Sequence, residues 1–147
     1  MTKAEKKLRT FRVAKSNLIA TLLCLAFLLI CFNYSLKINL WGDEAYSLLL
    51  VEKSWQQIFT NFDVHLPTYY FFLKILVSIF GDSNELLLRL LHSILFSVGL
   101  FFGYKTILFL SKSSKKSLLV LLSAIVSPTF VFYATNLRMY PILFLLS

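Results

Sequence analysis

The sequence predicts an all-α, polytopic membrane protein of about three full transmembrane helices plus a truncated fourth, with juxtamembrane helices in its first outer loop. Three observations carry this. Of 147 residues, 58% are hydrophobic and only 15% charged, with a mean hydropathy of +0.74, whereas soluble domains carry roughly a quarter charged residues. Stretches 16–36 and 117–137 contain no charge at all. Basic residues crowd into 1–16 and 111–117, while Asp43, Glu44, Glu52, Asp63 and Asp82 gather between them, which is the positive-inside pattern. The net charge of +8 therefore reports topology and contact with anionic membrane lipid, and no nucleic-acid partner is expected. Two cysteines exclude a disulfide scaffold, and 15 Phe, 7 Tyr and 2 Trp exclude a disordered chain.

The elements follow in order. Residues 1–15 form a basic cytoplasmic tail holding Lys3, Lys6, Lys7, Arg9, Arg12 and Lys15. The first span covers about 16–36, whose rise of about 31 Å crosses the hydrocarbon core. It is too long, and lacks the small-residue cleavage site, for a signal peptide. Cys24 and Cys31 lie seven apart on one face of it and read as small packing residues.

An outer loop, 37–84, comes next. Within 43–62, Leu48, Val51, Trp55, Ile58 or Phe59, and Phe62 recur at helical spacing. Ser54 and Gln57 form a capping box that restarts a helix at Trp55. Segment 67–80 reaches only about 21 Å and carries Lys74 at its middle. Counting it as a span would put the 112–116 lysines outside, so it is expected at the interface.

A second span, about 85–110, places Arg89 and Lys105 near its two ends, where long side chains snorkel. Asp82 and Glu85 mark its start. A third span, about 117–137, contains Pro128, which predicts a kink or break. After Arg138 the apolar run MYPILFLLS is too short to cross. The sequence thus reads as the amino-terminal part of a longer transmembrane domain.

Three constellations carry chemistry. Asp43 and Glu44 stand where the first span leaves the membrane. Such a pair serves either as the acidic first turn of a helix or, partly buried, as a general base. His65, Pro67, Tyr69 and Tyr70 form the second group; one histidine among scattered acids is no metal motif. The third is the stretch from Tyr133 to Tyr140 with Arg138, a surface anchor or a phosphate ligand.

Taken in order, WGDEAY, HLPTYYFFLKILVSIFG, LLLRLLHS and SPTFVFYATNLRMY resemble the opening of the GT-C membrane glycosyltransferases. The nearest branch contains protein O-mannosyltransferases and the aminoarabinose-to-lipid-A transferase. The resemblance covers about residues 15–147. It implies a transferase that moves a sugar from a polyprenyl-phosphate donor to an acceptor at the outer face of the cell membrane. It also implies a catalytic carboxylate at Asp43 with Glu44 beside it, and substrate-binding roles for His65, Tyr69, Tyr70, Arg89 and Arg138. Members commonly carry an acid two residues before the last arginine, where this chain has Asn136. That difference leaves a second acidic role, and any divalent metal bridging two outer loops, without a ligand set here. Two other readings stay open: a non-catalytic remnant or accessory subunit, and a small lipid-binding or transport protein with Arg89, His92 and Lys105 along its path.

Overall fold

The computed structural model describes residues 3–60, 67–81 and 84–147. The described residues form helices and no strand: α1 (Lys3–Ser35), α2 (Gly42–Glu52), α3 (Trp55–Thr60), α4 (Pro67–Phe80), α5 (Glu85–Ser111), α6 (Ser114–Ile125), α7 (Pro128–Thr135) and α8 (Tyr140–Leu146). Asp63, His65 and Asp82 lie outside the described residues.

Two helices are long and apolar enough to cross a membrane: Val13–Ser35 within α1, and α5. The helix of the first predicted span begins earlier than its apolar run, because α1 continues back through the basic tail to Lys3. The third predicted span is not one rod. Helices α6 and α7 are bent by 67° at a short break. Pro128 is the first residue of α7, where its missing N–H and fixed φ suit a helix start and not a helix interior.

The core is a stripe on α1 against a stripe on α5. Ala20, Cys24, Phe27 and Cys31 are buried with Phe96, Leu100 and Tyr104. Both cysteines are free thiols used for packing. Outward positions such as Leu18, Leu22, Leu29, Phe102 and Phe109 stay exposed, the distribution expected where lipid and not water is the solvent. Gly99 lets α8 approach α5: a Cβ there would lie 2.8 Å from the Phe144 ring and 3.3 Å from the Leu145 Cα. That ring stacks on Phe96 at 4.3 Å.

Turn chemistry sets the connections. Lys112 takes a left-handed conformation (φ 53°) to end α5, and Ser113 caps α6 by accepting from the Lys116 N–H. These lysines thus form a tight turn between two adjacent helices. Helices α2, α3 and α4 form a second, smaller layer around Leu50, Val51, Ile58, Tyr69, Tyr70 and Leu73. The Ser54–Gln57 capping box is present: the Ser54 N–H donates to Gln57 Oε1 at 3.0 Å and the Gln57 N–H to Ser54 Oγ at 3.3 Å. The inward face of α2 differs from the predicted stripe, with Leu50 buried and Leu48 only partly so. Trp55 is exposed and stacks on Phe71.

Lys74 explains why α4 docks on α2. Its ammonium donates to the carbonyls of Val51 (2.6 Å) and Lys53 at the end of α2 and sits 5.2 Å from the Trp55 ring. Those carbonyls have no partner inside their own helix.

Candidate functional site

The two adjacent acids of the first constellation fall into opposite environments. Successive residues of a helix point about 100° apart, so in the first turn of α2 Asp43 faces outward and Glu44 inward. The Asp43 side chain is 59% exposed. Glu44 is buried, and both of its oxygens are fully engaged. Oε1 accepts from Arg89 Nη1 at 2.8 Å and from the Leu137 N–H at 2.8 Å. Oε2 accepts from Arg89 Nη2 at 2.7 Å and from the Trp41 N–H at 3.0 Å. Four donors fill the roughly four lone-pair sites of a carboxylate.

Arg89 is equally committed. At 1% exposure it does not snorkel. Its guanidinium also donates to the carbonyls of Thr135 (3.0 Å) and Asn39 (3.4 Å). The fork–fork pair thus ties the 36–41 linker, α2, α5 and the end of α7 into one neutral knot. Such a pair is costly to desolvate and holds only when its remaining valences are satisfied, as they are here.

Arg138, whose side chain is only 13% exposed, lies beside the open acid. Its Nη2 is 3.4 Å from Asp43 Oδ2, and its Nη1 reaches the Asp43 carbonyl at 3.4 Å. The partial burial expected of Asp43 is absent; the carboxylate is half-open, next to a cation at a loose distance.

The second constellation divides. Tyr69 and Tyr70 are buried, with rings 5.5 Å apart. The Tyr69 hydroxyl lies 3.3 Å from His92 Nε2. His92 Nδ1 lies 2.8 Å from the Leu88 carbonyl, which assigns the ring proton to Nδ1 and makes Tyr69 the donor to Nε2. Burial pushes the Tyr69 phenol well above its ordinary range; the neighbouring Tyr70 and Glu44 push the same way, and Arg138 opposes them. Tyr69 therefore stays protonated and joins α4 to α5. His65 lies outside the described residues.

The structure thus brings Asp43, Glu44, Arg89 and Arg138 together at one end of the helices, with Tyr69 within electrostatic reach. Sequence reasoning missed Asn39, Thr135 and Leu137 as partners. They act through backbone groups, which carry no residue signature. Among the described residues, no three His, Cys, Asp or Glu side chains converge as a cation site. No family model, curated protein or solved structure matches this chain.

Proposed function

We propose that this chain supplies the first outer loop and the surrounding helices of a membrane glycosyltransferase that takes its sugar from a polyprenyl-phosphate donor. The observation that supports this reading best is the division of labour between the two acids: Glu44 is locked to Arg89 while Asp43 stays open beside Arg138. A lipid-phosphate sugar already carries a good leaving group. The acceptor hydroxyl oxygen attacks the anomeric carbon and the bond from that carbon to the phosphate oxygen breaks. Asp43 takes the hydroxyl proton, and Arg138 holds the charge that builds on the departing polyprenyl phosphate. Arg89 acts as a positioning residue, since its donors are spent on Glu44 and two carbonyls. The same saturation leaves a transport path through Arg89 and His92 without support.

In this reading α1, α5 and the bent α6–α7 pair are three crossings, with 39–84 and 134–140 at the outer face and 1–15 and 111–117 in the cytoplasm. Cysteine introduced at Ser54 reacts with an impermeant reagent on intact cells, and cysteine at Ser114 does not. The opposite pattern overturns the topology.

The chemical test is Asp43→Asn in the native protein, read as initial transfer rate at saturating donor. Asn keeps the size and helix-start preference of Asp but takes up no proton. A general base loses on the order of 10²–10⁴ in rate, with insertion and donor binding kept. A rate within about threefold of the parent, far below the contribution of a general base, removes the base role and returns Asp43 to a helix terminus.

A further inference from the structure

Two cavities adjoin the site and meet at Tyr34 and Phe132, which line both. The larger, about 570 Å³, opens where the bend between α6 and α7 uncovers α1; Ile30, Ile125, Val126 and Val131 contribute to its walls. It is an apolar groove flanked by helices of membrane-spanning composition. The smaller, about 300 Å³, is lined by Trp41, Asn39, Asn136 and the Glu44–Arg89 pair. An apolar trough thus continues into a chamber with aromatic faces and a few polar groups, the usual make-up of a ligand site.

The polar chamber has an unfilled valence and no spare charge. Asn136 is 4% exposed, and its Oδ1 has no hydrogen-bond partner. A buried amide oxygen left without a donor costs about 1–3 kcal/mol. Asn136 lines the chamber, and binding there requires a turn about its broad χ2 torsion to bring that oxygen to a ligand. Among the described residues the only cation on either wall is Arg89, already neutralised by Glu44 and bonded to two carbonyls. A phosphate entering here meets no free cation. A hydroxyl entering here finds an unpartnered acceptor in Asn136, on a wall that also carries Trp41 and Phe132, whose rings stand edge to face at 5.9 Å.

We infer that the paired cavities bind a membrane amphiphile with a neutral, hydroxyl-bearing head, its chain lying in the α6–α7 groove and a head hydroxyl donating to Asn136. This inference rests on the membrane placement of α1 and α6–α7 and not on transferase chemistry. The occupant is distinct from a phosphate-linked donor, because the cation on the chamber wall among the described residues is already spent on Glu44.

The test places the photoreactive p-benzoylphenylalanine at Tyr133, on the groove wall, or as a control at Phe109, an exposed site on α5. The native protein sits in nanodiscs containing equal amounts of monoglucosyl diacylglycerol and phosphatidic acid with identical chains, and adducts are read by mass spectrometry. At Tyr133 the glucolipid is enriched about threefold or more, which one net hydrogen bond supplies; at Phe109 the adducts follow bilayer composition. Asn136→Ala removes the enrichment. Dodecyl maltoside, but not dodecyl phosphate, competes it away in protein that retains Asn136, a measurement independent of how the variant folds. Equal labelling at both positions, preference for phosphatidic acid, or enrichment that persists in a monodisperse Asn136→Ala protein overturns the inference. No turnover is read, so the outcome is separate from that of the Asp43→Asn experiment.

Discussion

Two acid–arginine pairs stand side by side in this protein and behave as opposites. Glu44–Arg89 is closed at 2.7 Å with both side chains at 3% exposure or less. Asp43–Arg138 is loose at 3.4 Å, with Asp43 mostly in the open. One residue of helical phase separates the acids, so sequence proximity says nothing of shared role. Burial and saturation tie the Glu44 carboxylate into the structure and leave the Asp43 carboxylate open to solvent. In a low-dielectric interior an ion pair is safe only when every donor and acceptor is used. A loose pair with one exposed member is weak.

The largest expected effect breaks the closed pair. Glu44→Ala leaves Arg89 buried with its main counter-ion gone, and Arg89→Ala strands Glu44; each costs about 3–5 kcal/mol. Thermal or denaturant unfolding in detergent checks it. Glu44→Gln follows the same course, since the amide carries no charge to neutralise Arg89. Replacing both residues with leucine recovers much of the loss, because the penalty comes from the orphaned charge. A single variant within about 1 kcal/mol of the parent, the range of exposed pairs, would show that the knot contributes no more than a surface contact.

A smaller effect concerns the far end of the same helix. Helix α2 is tied at its start by Glu44 and at its end by Lys74, which is only partly buried. Lys74→Met keeps the stem and deletes the donors to Val51 and Lys53. About 1.5 kcal/mol is expected, the lower end for hydrogen bonds from a charged group. Hydrogen exchange should quicken across α2 and α3 and hardly change in α1. Uniform loss of protection would show that the small layer and the α1–α5 core unfold as one unit.

How much of this was legible in the sequence follows from the physics of each signal. The apolar segments of α1 and α5, the break at Pro128, the restart at Trp55 and the short length of α4 all come from local composition or periodicity. Each was visible beforehand. Lys74 marked α4 as an unsuitable span, but its partners are backbone carbonyls and left no trace. Arg89 was read as snorkelling because its distance from the helix end allows that. Only the fold shows that an acid 45 positions earlier reaches it first. The positions of Asp43 and Arg138 were legible as a pattern of polar residues at helix ends, whereas the exposure that separates Asp43 from Glu44 depends on which face of α2 turns inward.

The smallest expected effect sharpens the comparison from its open side. A double-mutant cycle over Asp43→Asn and Arg138→Gln measures what these groups contribute to each other. The separation of 3.4 Å and 59% exposure of the carboxylate place the pair with surface ion pairs, whose coupling is about 0.2–1 kcal/mol. That coupling should shrink as ionic strength rises, because exposed charges are screened, while the Glu44–Arg89 coupling holds. Arg138→Gln should leave stability nearly unchanged, since water solvates the exposed Asp43 carboxylate, and Asp43→Asn leaves the largely buried Arg138 the Asp43 carbonyl as an acceptor. A coupling above about 2 kcal/mol, insensitive to salt, would place Asp43 in a closed pair like that of Glu44. Its carboxylate would then be tied to Arg138 and unavailable to take a proton. The reading of Asp43 as the open, reactive member of the two acids would fail on stability data alone, before any transfer rate was measured.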